Sequence, residues 1–314
     1  MAWLTGYQKR IKITADHTLI DSDLSHFPLT FFLKNGNGDT QKVFDELGDN
    51  KYKIAVTKSD GTTQLYVEIE QWDSVNKVGV LHAGRDGDVL SSSADTIYYL
   101  YYDNTAPDNT DYVGDVGSTL GQNVWDSNYK MVQHMRDDPD ASHVRDSTVN
   151  ANDGTKLAAN EPIEADGKID DAQDFDGVND WIEYPPGMCI DPVTFSCWFN
   201  FSSSGTLVLF IDKQYWNSDA GMYLVFIDGR LYIRGSGGTA ALLTPKFNDG
   251  EWVKLDIVLD GTVAQVYKNG QATKMDSSTI EAVKESTYPS LVGIYSDKIQ
   301  YPFLGLIDEV RISN

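Results

Sequence analysis

Apolar and polar residues alternate with a period of two through most of this 314-residue chain, and that feature restricts the fold more than any other. Successive side chains of a strand point to opposite faces, so the pattern describes half-buried β-strands. The segments are rich in Val, Ile, Tyr and Phe and are closed by Gly, Asn or Asp. Early ones are Lys9–Thr14, Leu29–Leu33, Lys53–Lys58, Gln64–Ile69 and Thr96–Tyr102. Late ones are Thr194–Phe201, Leu207–Asp212, Tyr223–Ile227, Arg230–Arg234, Val253–Leu259, Val263–Lys268, Ser290–Ile294 and Ile307–Ile312. Asp60-Gly61, Asp228-Gly229, Asp260-Gly261 and Asn269-Gly270 are dipeptides of the hairpin-turn type. The best helical pattern, Thr279–Val283, is one short turn. The chain is expected to be all-β.

Turn signals every ~8–12 residues favour sandwiches over a parallel α/β sheet, and the length suits two domains. The polar stretch Asp103–Gly121 is the expected boundary, giving domains 1–120 and 121–314. A second region, Arg136–Lys156, is dense in Asp, Asn and Ser and reads as either an ordered surface loop or a solvated one.

The formal net charge is −22, with −8 on residues 1–120 and −14 on 121–314. Such a field repels a phosphate backbone, so nucleic-acid binding is disfavoured, while convergent carboxylates attract divalent cations. No run approaches the ~18 apolar residues of a membrane span. Residues 1–10 lack the apolar core of a secretory signal. Cys189 and Cys197 do not make a disulfide framework. Cys197 alternates with Phe195 and Phe199 as an inward position does, which favours two buried free thiols over a bridge.

The second half carries Val124-Trp125-Asp126 through His134-Met135, then Asp146-Ser147-Thr148 and Asn152-Asp153-Gly154-Thr155. Gly167-Lys168-Ile169 and Ala172 to Ile182, with Phe175-Asp176-Gly177-Val178-Asn179-Asp180-Trp181, follow. Asn248 to Trp252, Val266 to Gly270 and Phe303 to Ile312 close the series. In this order the pieces resemble the laminin-G-like members of the concanavalin A-like jelly-roll superfamily. Two β-sandwiches are therefore expected, the second a concanavalin A-like jelly roll. Trp3, Tyr7 to Ile13, Phe27-Pro28-Leu29, Asp60 to Asp73 and Tyr98 to Asn104 resemble domain of unknown function 2341, a family name that carries no activity.

The jelly-roll resemblance implies a structural Ca²⁺ joining the start of the sandwich to its last strand. Ca²⁺ takes six to eight hard oxygens, and the implied ligands are Asp176 and Asp308, with Asp146 as a further candidate. The alternative is that Asp176 and Asp308 hydrogen-bond neighbouring turn backbones, as short acidic side chains do. Glycosidases on this fold carry paired carboxylates on one strand face as Glu-x-Asp-x-x-Glu. Here Glu68 and Glu70 share a strand but lie in the first domain, where a solvated strand face is the favoured reading. The five histidines make no metal-ligand pair, and His134 reads as packed. Gly235-Ser236-Gly237-Gly238 lacks a following Lys-Ser/Thr and reads as a flexible hairpin tip. No catalysis is expected.

Sugar binding needs flat aromatics with polar groups beside them. Tyr215 and Trp216 lie in the Gln214–Gly221 loop, and Arg234 adjoins the glycine run. For Trp216, glycan contact, protein contact and packing within the chain all stay open. Trp3, Trp72, Trp125, Trp181, Trp198 and Trp252 sit in or beside strand patterns and are expected in the core. The favoured function is a non-enzymatic structural or attachment protein of a phage-like virion, acting through sandwich loops on other virion proteins, itself or a cell-surface glycan. That reading rests on Met1 running straight into the first motif. The alternative is an extracellular pair of carbohydrate-binding modules, and a glycoside hydrolase or lyase ranks last.

Overall fold

The structure, a computed structural model, describes residues 2–157, 161–202, 205–215, 218, 220–237, 241–242, 244–271 and 276–314. Two compact units divide the chain: Met1–Ser127 with Ser147–Val149, and Asn128–Asp146 with Asn150–Asn314.

The first unit contains β1 (Arg10–Ala15), β2 (Leu24–Ser25), β3 (Leu29–Leu33), β4 (Ile54–Lys58), β5 (Gln64–Asp73), β6 (Val78–Gly84), β7 (Val89–Leu90), β8 (Thr96–Tyr102) and β9 (Val113–Asp115). An antiparallel ladder runs β1-β8-β4-β5-β6-β3, with β9 parallel to β5 and β2 paired to β7. Ile11 and Ile13 from one end of this path and Phe31 and Leu33 from the other pack on one core with Leu65, Val67 and Leu100. The ladder therefore curls around its own apolar face.

A helix the sequence pattern did not show, α1 (Gln41–Leu47), closes that core with Val43, Phe44 and Leu47. Seven residues are too few for a helical period to stand out. Gly48 at φ 52° ends the helix, its N–H donating to Phe44 O at 2.9 Å. A four-residue helical turn, α2 (Thr119–Gln122), is capped by Ser118.

Two expectations for this unit are corrected. Glu68 and Glu70 do not form a solvated face, being 0% and 3% exposed. Glu68 accepts from Trp125 Nε1 and from Ser147 Oγ, both at 2.8 Å, and Glu70 meets His82 Nε2 at 2.5 Å. Buried carboxylates need such partners because an unpaired charge is strongly disfavoured away from water. Trp3 is not a core residue; it is half exposed, with the Arg10 guanidinium 4.3 Å from its ring centroid.

The second unit opens with β10 (Tyr129–Asp137), β11 (His143–Asp146), β12 (Gly154–Lys156), β13 (Ile163–Asp166), β14 (Asp171–Asp176) and β15 (Ile182–Tyr184). It continues with β16 (Val193–Phe201), β17 (Thr206–Ile211), β18 (Tyr223–Ile227), β19 (Arg230–Arg234) and β20 (Ala241–Leu242). It ends with β21 (Val253–Asp260), β22 (Val263–Lys268), β23 (Asp276–Thr279), β24 (Ser290–Val292) and β25 (Leu304–Ser313).

Their ladder runs β20-β19-β18-β17-β24-β15-β12-β11-β10-β25-β16-β21-β22-β23. Strands far apart on that path nevertheless face each other. Phe199 of β16 lies 5.0 Å from Phe226 of β18, and Phe195 of β16 lies 5.0 Å from Phe210 of β17. The ladder is thus folded over into two layers, the jelly-roll sandwich. The alternation along β16 shows the cause: Val193, Phe195, Cys197, Phe199 and Phe201 are buried, and the residues between them are half-buried. Both cysteines are free and buried, and burial pushes the Cys197 thiol up to about 12.

Arg136–Lys156 is not one loop: the end of β10, β11 and β12 supply nine of its 21 residues, with turns between them. Asp146 is buried there and accepts from Val132 N at 3.0 Å and Asn152 N at 2.8 Å. The glycine run is packed over its described part. Gly235 O accepts from the buried Lys213 Nζ at 2.7 Å, and an added Cβ on Gly235 would meet Glu281 O at 1.7 Å. Gly238 lies outside the described residues.

Candidate functional site

One face of β17 and β18 fills the sandwich core; the other carries a cleft. Leu224 and Phe226 of β18 point inward, so alternation sends Tyr223, Val225 and Ile227 to the opposite face. Beneath that face lies a second apolar cluster containing Trp181, Val208, Ile211, Tyr223, Val225, Leu291, Ile294 and Tyr295. The hairpin from β18 to β19 turns at Asp228 and Gly229, both at positive φ, as a type I′ turn requires. Its register sets Arg234 directly opposite Tyr223.

The far wall is the segment after β24. Gly293, at φ +93°, starts it; a Cβ there would meet the Phe175 ring at 2.3 Å, so the chain passes only as glycine. Phe303 N returns to Gly293 O at 2.7 Å and closes the loop. Within it, Asp297 accepts from Ile299 N and Gln300 N, each at 2.9 Å. Tyr295 N donates to Gln300 O at 3.1 Å, and Val208 N donates to Tyr301 O at 2.9 Å. These bonds hold Tyr295 edge-on to Tyr223, with centroids 5.7 Å apart, and to Tyr301 at 6.0 Å.

The resulting cleft, about 520 Å³, is lined by Tyr215, Tyr223, Tyr295 and Tyr301 together with Arg234, Asp297 and Gln300. That is within the size range of small-ligand sites. Aromatic edges and faces supply apolar contact, while guanidinium, amide and phenol groups supply hydrogen bonds. Burial, then the neighbouring Tyr295 and Tyr301, holds the Tyr223 phenol well above its usual range. For Asp297 burial acts upward, but the bonds from Gln300 and Ile299 outweigh it and hold the carboxyl below its usual range.

The structure thus brings two of the sequence-predicted ligand residues, Tyr215 and Arg234, into one cleft. Trp216 lies outside the described residues. Sequence reasoning missed Tyr223, Tyr295, Gln300 and Tyr301 as lining residues. The available signal was the Tyr-rich, turn-rich segment 295–301, too irregular to be a strand.

Asp176 and Asp308 are not brought together. Asp176 pairs with Leu304, four residues before Asp308 on β25, a separation of roughly 13 Å at about 3.3 Å per residue. One Ca²⁺ takes its ligands at about 2.3–2.6 Å, so this pair does not fit a shared ion. Asp308 is buried, and its Oδ2 accepts from Lys168 N and Ile169 N, each at 2.9 Å. Asp176 Oδ1 accepts from Val178 N at 2.7 Å and Asn179 N at 3.3 Å. Both carboxylates bind turn backbones. His134 is buried against Glu309, Nδ1 to Oε1 at 2.6 Å.

Residues 176–314 match the Laminin_G_3 family model, described as the concanavalin A-like lectin/glucanases superfamily. No curated protein matches the chain in sequence. Among solved structures, it is similar to domain 4 of AbnA, an extracellular arabinanase from Geobacillus stearothermophilus, solved in complex with arabinotriose. The identity is 24% and the TM-score 0.47, covering 60% of this chain and 94% of that one. A sialidase carbohydrate-binding module of Ruminococcus gnavus, solved with α2,3-sialyllactose, is 11% identical at a TM-score of 0.36, covering 45% of this chain and 88% of that one. A heptameric pentraxin from Limulus polyphemus is 14% identical at 0.37, covering 44% and 73% respectively.

Proposed function

We propose that this chain is a non-catalytic carbohydrate-binding protein that takes a glycan in the tyrosine-walled cleft of its second unit. The observation that carries this reading is the convergence of four tyrosines with Arg234 and Gln300 on the outer face of β18. Sugar rings present C–H faces to aromatic groups and hydroxyls to polar ones, and the cleft offers both. The match of residues 176–314 to a lectin and glucanase superfamily supports the same class.

The state of the cleft carboxylate supports binding without turnover. Glycoside hydrolysis needs a carboxylic acid with a raised pKa facing a second carboxylate. Asp297, the carboxylate lining the cleft, is shifted the opposite way and is saturated by its own loop. Polysaccharides are extracellular ligands, so the proposed location is outside the cell. Among the described residues no helix is long and apolar enough to cross a membrane. The superfamily match and the cleft favour the carbohydrate reading over the virion reading.

The test is affinity electrophoresis of the full chain through gels holding cellulose derivatives, xylan, arabinan, galactan, mannan or soluble chitin. Retardation by at least one, weakened about tenfold or more in Arg234→Ala, supports the reading. Mobility unaffected by every polysaccharide overturns it. Release of reducing ends from any of them overturns the non-catalytic part alone.

A further inference from the structure

The cleft does not end at Tyr215 and Asp297. Those two residues also line an adjoining hollow of about 320 Å³, whose floor includes Leu291 and Ser296. That hollow in turn shares Glu183, Pro289 and Lys298 with a third, of about 390 Å³, which reaches Thr155, Tyr184 and Pro186. All three lie over consecutive strands of one sheet, in the order β19, β18, β17, β24, β15 and β12. Five strand spacings of about 4.8 Å make a track of roughly 24 Å across the sheet.

We infer that these hollows form one groove and that its ligand is an extended oligosaccharide segment lying across the strands, rather than a single terminal sugar. The inference rests on the cleft being a glycan site. The walls shared between hollows carry polar groups at both junctions. Asp297, with Gln300 bound to it at 2.5 Å, marks the first, and the Glu183–Lys298 ion pair marks the second. Lys298 Nζ stands 5.4 Å from the centroid of the Trp181 ring, so the junction combines charge with an aromatic base. Pro185, Pro186 and Pro289 give the third hollow a preset backbone and apolar walls. A flexible chain loses entropy on binding, and a rigid, pre-shaped track limits further loss on the protein side.

Calorimetry of the full chain with size-fractionated hydrolysates of the same six polysaccharides, one to six residues long, tests this. The expected result is an affinity that rises at least about tenfold from di- to pentasaccharide and then levels off. Thr155→Tyr fills the third hollow from an exposed strand position, and Leu157→Trp does so from an exposed position beyond β12. Each should remove the upper part of that rise and leave disaccharide binding unchanged. Equal affinity for di- and pentasaccharide, with binding still lost in Arg234→Ala, overturns the groove and leaves the cleft intact. A full rise retained in both filling variants also overturns it. Silence of every fraction at every length overturns groove and cleft together.

Discussion

Tyr223 and Arg234 stand opposite each other in the antiparallel pair of β18 and β19, which places a guanidinium beside a phenol at the edge of the cleft. In a chain of net charge −22 a cation held there is a departure from the general field. Planar guanidinium offers five donors in a fixed fork, which lysine does not reproduce. Arg234→Lys should therefore weaken polysaccharide retention nearly as much as Arg234→Ala, with an unchanged melting temperature in both. Full retention by the lysine variant would show that charge alone is used.

Asp212 should make stability pH-dependent. Burial pushes its carboxyl up to about 7 against the bond from Met222 N, the Cys189 thiol and the charge of Lys213. The folded state therefore holds a proton that the unfolded chain, with an ordinary Asp, releases near pH 4. The stability contributed by that neutral carboxyl is fully present below the unfolded value and is lost as pH rises through about 7. Asp212→Asn should gain melting temperature relative to the parent between pH 5 and pH 8, measured by calorimetry at both. An equal difference at the two pH values would contradict the shift.

Asp308→Ala should destabilise by about 1–3 kcal/mol, because two turn amides lose their buried acceptor. The loss should be the same with and without excess chelator. If chelator alone lowers the parent's midpoint to that of the variant, a cation is held at Asp308.

Phe199 is fully buried between Phe201, Phe226 and Phe247, with centroids within 5.4 Å, and ties the two layers together. Phe199→Ala should cost about 3–5 kcal/mol in urea unfolding through lost contact and a residual cavity. Trp198→Ala, at a half-buried position on the opposite face of β16, should cost less.

Alternation alone determined the longer core strands such as β16 and β21. β16 and β21 bury every second residue as their sequences read, because a pleated strand has only two faces and one of them meets the core. The same local rule located the I′ turn at Asp228-Gly229, where short polar and glycine residues accept positive φ. Tyr215 and Arg234 were legible as candidates because aromatic and cationic residues stood in or beside turns.

Only the tertiary structure decided what those residues face. Glu68 reads as a surface carboxylate until Trp125 and Ser147 are folded against it, and both partners are more than fifty residues away. Asp176 and Asp308 read as a pair until the register of β14 on β25 sets them four residues apart. Tyr295 and Tyr301 come to face Tyr223 because Gly293 and the Asp297 turn bring a loop back over β18. Period-two patterning is local and says which side of a strand is buried; it contains no term for the long-range register and loop return that choose the neighbours.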